Sequence, residues 1–338
     1  MRAAVFKEAG KPLVIKERPD PTPGEGEVVV KVARCGICGS DLHMTEAGNH
    51  GMAYPPDSLI GHEYAGEVVA LGPGVEKFKV GDRIAAYNMM GCGQCSHCLA
   101  GLPKWCAQFR GIGSGFAEYS LANARDSVKL PSTLSLEDGA LIEPLATGLH
   151  GVAMAAMKPG SRVLVLGAGP VGLATIYWAR LLGAGKIVTV ARSSQRRALA
   201  LEMGSTAFHA AGQDSVEEVN AALGGPPDIV FECVGLPDML MRATNHVRDR
   251  GTVMVLGFCT RPDPVVPAVA TWKEVTMKFA FGYSGREYQV TADTLDAGHV
   301  EPRAMVSDRV TLDELPVAFE ALRQKTTQCK VMVTPWGR

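Results

Sequence analysis

The sequence predicts an α/β chain of two unlike parts. A strand-rich, Gly- and Pro-punctuated first third, alternating strands and helices through the middle, and mixed segments at the end together predict it. The length, 338 residues, fits two domains. Residues 1–16 alternate like a strand. Residues 28–32 (VVVKV) are a valine-rich strand, residues 64–70 (YAGEVVA) read as another strand, and Gly72-Pro73-Gly74 closes the second as a turn. Residues 81–85 read as the start of a further strand, which makes the region all-β or barrel-like.

The middle changes character. Residues 162–166 (RVLVL) form a short apolar strand, and a glycine-rich turn opens a helix that runs to Leu182. Residues 186–190 are the next strand, 197–203 a helix, and 228–232 and 251–257 two more strands. Strands alternating with helices predict right-handed βαβ units and a parallel sheet. After Lys278 the mixed segments read as completing the first domain. The expected division is 1–145 plus 282–338, with 146–281 inserted.

Composition narrows the function. A net charge of −1 offers nothing to draw the surface to nucleic acid or anionic lipid. No apolar run reaches the ~20 residues that span a bilayer. With no secretory signal in view, the expected location is the cytoplasm.

Nine cysteines carry the first chemistry. Cys92, Cys95, Cys98 and Cys106 are spaced C-x2-C-x2-C-x7-C in one loop, a lobe of about residues 88–110. Four thiolates at this spacing close a tetrahedral shell around one Zn²⁺, a structural site. Paired disulfides are the alternative, disfavoured in a reducing compartment. Cys35, Cys233, Cys259 and Cys329 read as small buried apolar residues. Cys35 and Cys38 form a C-x2-C, but without the helix-opening context of a redox pair.

A second constellation is open. Cys38 in G-I-C-G-S-D and the pair His62–Glu63 in G-H-E supply a thiolate, an imidazole and a carboxylate from separate loops. That leaves one coordination position for water or substrate, the arrangement of a catalytic zinc. Glu143, in I-E-P, is a candidate for the fourth place, either on the ion or holding its water. Two zinc ions per chain are therefore expected.

The glycine turn is G-A-G-P-V-G: Gly167, Gly169 and Gly172, with Pro170 and Val171 opening the helix. Directly after a strand, this is the dinucleotide fingerprint, with pyrophosphate at the helix N-terminus. NAD binders usually place an acid at the end of the second strand. Here stand Ala191, Arg192 and Ser193, then Arg196 and Arg197. No carboxylate repels a 2′-phosphate. Arg192 with Arg196 or Arg197 can grip a dianion, and Ser193 can donate to it. NADP(H) is favoured over NAD(H). The alternatives are a ligand-free turn and solvated surface arginines.

In order along essentially the whole chain, these motifs resemble the zinc-dependent medium-chain dehydrogenase/reductase family, nearest its sorbitol, threonine and secondary-alcohol branch. The resemblance implies a GroES-like β-barrel catalytic domain with an inserted Rossmann domain and the active cleft between them. It also implies a homo-oligomer, dimer or tetramer. Ser40 and His43 match the family's proton relay, and Thr147 matches the position beside the nicotinamide ring. The sorbitol enzymes carry a late F-R-Y segment whose Arg and Tyr bind polyol hydroxyls. This chain has Phe281-Gly282-Tyr283, so the arginine is absent. The expected substrate is a small secondary alcohol or ketone. A polyol, cyclitol or amino alcohol is the second reading. A zinc-free reductase, or a non-catalytic NADP-binding protein that kept the fold, is a remote one. Phe116 and Tyr64 read equally as pocket wall or core.

Overall fold

A computed structural model describes residues 1–324 and 327–337. The chain divides into two compact units, Met1–Ala146 with Tyr283–Arg338, and Thr147–Gly282.

The first unit is organised by the strand Glu27–Gly36. Strand Glu63–Leu71 runs antiparallel along it, Tyr119–Asn123 pairs with its first half, and Lys330–Thr334 pairs with its end. Arg83–Ala85 and Val128–Lys129 extend one side, and Val306–Thr311 lies parallel to the last strand. Val28, Val30 and Val32 point one way into a core with Tyr64, Val68, Ile84, Phe116, Phe319 and Val333. The period-2 alternation sets this: Lys31, between two of the valines, is exposed. Each fully buried valine contributes about 1.5–3 kcal/mol. The last strand enters this sheet, so the chain's end completes the first unit. Residues 1–16 differ from the single strand expected. They form a hairpin of Arg2–Val5 with Val14–Glu17, because Gly10, at φ +79°, turns the chain back.

The pairing register positions the chemistry. Gly36 lies opposite Glu63. Cys38, two residues past the first strand's end, therefore comes beside His62, one residue before the second strand begins.

The second unit holds six parallel strands among the described residues. Their order is Ala207–Ala210, Lys186–Ala191, Arg162–Leu166, Ile229–Glu232, Thr252–Val255, Thr276–Phe279. Numbered by sequence that is 3-2-1-4-5-6, a doubly wound sheet whose order reverses between Arg162–Leu166 and Ile229–Glu232. The inner strands are buried on both faces, which is why RVLVL carries no alternation. Among the described residues no helix is long and apolar enough to cross a membrane.

Candidate metal centres and dinucleotide turn

The four cysteines of the loop converge, with their sulfur atoms all within 4.8 Å of one another. Cys95 caps the short helix Ser96–Leu99, which carries Cys98, and Cys106 follows the turn Pro103–Trp105. The Cys106 sulfur accepts from the backbone N–H groups of Cys92 and Gln108, each at 3.3 Å. Backbone donors draw the Cys92 thiol down to about 6, and they lower Cys106 as well. Burial instead pushes Cys98 up to about 11. The buried Cys98 thiol reaches the anion only beside a cation, and a set of four converging sulfur atoms fits Zn²⁺.

The open site gathers Cys38, His62 and Glu63, whose ligand atoms also lie within 4.8 Å of one another. Cys38 caps the helix Gly39–Thr45. Ser40 on its first turn donates to the Cys38 sulfur at 3.2 Å, and His43 Nδ1 on its last turn lies 3.4 Å from Glu46. Glu143, on the helix Leu136–Met154, is buried and lies outside that close group. It accepts a hydrogen bond from Tyr283. Burial pushes its pKa up to about 7. The rings of Tyr87, Tyr283 and Tyr288 pack with centroids 5.2–5.3 Å apart. Tyr87 donates to the Tyr283 carbonyl and Tyr288 to that of Ala86, each at 3.0 Å.

Two residues that the sequence reading passed over hold this site in place. Asp41 is fully buried and lies 3.3 Å from His62 Nδ1. It accepts from Tyr54 at 3.0 Å and from the Cys38 N–H at 3.3 Å. A carboxylate behind a ligating imidazole fixes its ring and tautomer. Burial opposes charge on His62, but Asp41 and Cys38 overcome it and lift the metal-free imidazole well above its ordinary value. Lys330, from the last strand, donates to both oxygens of Glu63 and to the Ile37 carbonyl. Asp41 was visible inside G-S-D, whereas Lys330 has no local signal. Phe116 and Tyr64 are fully buried core members and not pocket wall. Cys35 is buried, its thiol raised by desolvation, while Cys233, Cys259 and Cys329, expected to be buried as well, are only half-buried.

The glycine turn suits a dinucleotide. Gly167 has φ +104°, a conformation that favours glycine. A Cβ on Gly172 would lie 2.1 Å from the Gly167 carbonyl, so helix Pro170–Leu181 packs directly on the turn. A Cβ on Gly169 would meet nothing within 4 Å: the space beside the helix N-terminus is open, as a pyrophosphate cradle requires. Pro170 starts the helix and Val171 lies in its first turn. Ala191 ends strand Lys186–Ala191. Arg192 is exposed, Ser193 donates to Gln195 at 3.3 Å, and Arg197 begins the helix Arg197–Met203. Arg196 turns back and donates to the Ala168 carbonyl at 3.2 Å, tying this segment to the glycine turn. Thr147 is half-buried on Leu136–Met154.

A sheet that reverses at a glycine turn, with two thiolate-bearing metal-donor groups in the same chain, defines a nicotinamide-linked, metal-dependent oxidoreductase. Comparison with known proteins narrows the class. Residues 24–132 match the alcohol dehydrogenase GroES-like domain, and residues 170–297 match the zinc-binding dehydrogenase family. Sorbitol dehydrogenase of Bacillus subtilis (strain 168) is 33% identical over 99% of this chain and 97% of its own. A zinc-binding dehydrogenase structure from Sinorhizobium meliloti 1021, bound to NADP, is 33% identical with a TM-score of 0.87, covering 99% of each chain. An alcohol dehydrogenase structure from E. coli CFT073, complexed with NADH, is 27% identical with a TM-score of 0.87, again covering 99% of each chain. The chain belongs to the zinc-dependent medium-chain dehydrogenase family: it is a zinc-type, NAD(P)-linked alcohol dehydrogenase.

Proposed function

We propose that the chain interconverts a small secondary alcohol and its ketone using NADP(H), at a centre made by Cys38, His62 and Glu63. One observation carries this reading: three donors of three kinds converge within 4.8 Å and leave a coordination position for substrate. When bound, the zinc polarises the alcohol oxygen and the nicotinamide takes the hydride. The chain's own residues do the rest. Asp41 orients His62. Lys330 holds Glu63 in place. Ser40 Oγ takes the proton of the substrate hydroxyl and passes it on, and His43 delivers it to water. Glu143, whose pKa of about 7 lies at working pH, holds a proton on its carboxyl oxygen. Thr147 supports the nicotinamide face. Cys92, Cys95, Cys98 and Cys106 hold the structural ion of the 88–110 lobe.

The NADP preference rests on Ala191, where an acid would repel a 2′-phosphate, and on Arg192, whose exposed guanidinium can pair with one. The turn residues Gly167, Gly169, Pro170, Val171 and Gly172 take the pyrophosphate. Ser193 and Arg197 complete the 2′-phosphate side, with Arg196 bracing it. The substrate reading rests on Gly282, which offers no guanidinium to a polyol. The sorbitol dehydrogenase relative supports the polyol as the second reading. A homo-oligomer is supported by large apolar side chains exposed on the second unit, Trp272 at 91% and Phe279 at 63%. A cytoplasmic location is supported by thiolates that must stay reduced.

Steady-state rates with aliphatic and cyclic secondary alcohols, their ketones and sorbitol, each with NADP(H) and NAD(H), test the reading. A simple secondary alcohol with NADP(H) should give the highest kcat/KM. A clear preference for sorbitol would move the assignment to the polyol reading.

A further inference from the structure

The strands Arg162–Leu166 and Ile229–Glu232 flank the point where the sheet order reverses. A dinucleotide binds outside the carboxyl ends of strands at such a point. The first strand ends in the glycine turn. The second ends at Glu232, a residue with no part in the chemistry above.

Glu232 is 1% exposed. Its Oε1 accepts from the backbone N–H groups of Val234 at 2.6 Å and Gly235 at 3.0 Å. Space is made for this carboxylate: a Cβ on Gly257 would lie 2.3 Å from its Oε2. Burial lifts its pKa and the two amides oppose the shift. The turn so held leans on the glycine turn. A Cβ on Gly167 would lie 3.0 Å from Val234 Cγ2 and 3.1 Å from the Cys233 carbonyl oxygen. Asp263 secures the next stretch, accepting from the N–H groups of Asp238 at 2.7 Å and Leu240 at 3.0 Å. Residues 233–240 are thus held at both ends by carboxylates and wall the reversal point opposite the glycine turn.

We propose that Glu232 is a positioning residue for dinucleotide binding: its carboxylate fixes the Cys233–Gly235 turn against Gly167, so the wall of the cradle is set before the cofactor arrives. A wall already ordered spares the cofactor the cost of ordering it. The inference rests on the dinucleotide reading but not on the choice between NADP(H) and NAD(H).

Fluorescence titration of NADPH, and of NADH in parallel, tests it on the full-length, zinc-loaded protein and three variants. Glu232→Gln keeps an oxygen acceptor where Oε1 stands. Glu232→Asp keeps the charge but retreats by one methylene, and Glu232→Ala removes both. Kd for the preferred nucleotide should rise about tenfold or more in the Ala and Asp variants and stay within about threefold of the parent in the Gln variant. A role confined to stability would lower the melting midpoint of the cofactor-free protein and leave Kd of the folded protein at the parent value. That result, or a Gln variant as impaired as Ala, overturns the proposal. Should the Ala variant fail to fold, the Asp and Gln pair decides. A parent that prefers NADH changes only the cofactor choice, whereas a parent that binds neither nucleotide sinks the dinucleotide reading itself.

Discussion

Lys330 and Glu63 form a buried ion pair across 267 positions of sequence, the ammonium 2.6 Å from each carboxylate oxygen. Both side chains are essentially inaccessible, at 1% and 0% exposure. Gly36 makes the room, since a Cβ there would lie 2.0 Å from Glu63 Oε2. Burial alone would depress the Lys330 pKa, but the Glu63 carboxylate overcomes it and raises the pKa above its ordinary value. Lys330 therefore keeps its charge through the neutral range and holds Glu63 beside Cys38 and His62.

Removing one partner of such a pair strands the other charge in the interior. Lys330→Met should destabilise the zinc-free protein by about 3–5 kcal/mol. Lys330→Arg, which keeps the cation, should lose less. Denaturant unfolding after chelation measures both. A Met variant as stable as the parent would show that the pair matters little.

The four-thiolate loop should behave as one closed unit. Cys98 is its most buried member, so Cys98→Ser should remove one zinc per chain and lower the melting midpoint by about 5 °C or more. Metal analysis beside calorimetry reads both effects. Zinc retained in full would show that Cys98 is not needed to hold an ion.

Cofactor choice should turn on the end of the second parallel strand. Ala191→Asp places a carboxylate where the 2′-phosphate would lie, and Arg192→Ala removes a charge-assisted hydrogen bond worth about 1.5–3 kcal/mol. Either change should cut the NADPH-to-NADH ratio of kcat/KM by roughly ten- to hundredfold. Ratios unchanged in both variants would show that this segment does not read the 2′ position.

His246, in the last turn of helix Met239–His246, is 4% exposed and its Nδ1 has no hydrogen-bond partner among the described residues. Burial, with repulsion from Arg242 and Lys273, lowers its pKa to about 4. The unfolded chain takes up a proton near pH 6.5, the folded chain only near 4. Stability should therefore fall as pH drops through that window, by on the order of 3 kcal/mol at most from this group. His246→Leu should flatten the dependence between pH 7 and 4.5, since it removes the buried imidazole altogether. Unfolding free energies across that range, compared with the parent, provide the check.

Much of this was legible because it is written locally. RVLVL, the glycine turn and the residues beside the metal donors lie within a few positions of each other, where strand period and turn chemistry decide the structure. Strand and helix alternation predicted the parallel sheet, and the family resemblance implied its doubly wound order. Other parts were not local. The strands Ala207–Ala210 and Thr276–Phe279 are four-residue edges with partly exposed, mixed sequences, and only their neighbours make them strands. Gly10 splits the N-terminal run into a hairpin that alternation alone read as one strand. Lys330 reaches Glu63 because the final strand enters the first sheet, and no spacing in the chain announces that. Tyr64 follows His62 and Glu63 directly in sequence, yet it faces the core, as Phe116 does.

Metal content and turnover measured together on the parent and on Cys38→Ser test the open metal site most directly. The parent should carry two zinc ions per chain, and the variant one, with turnover down roughly a thousandfold or more. A parent that turns over alcohol with a single zinc, or a variant that keeps both ions and its rate, would contradict the account.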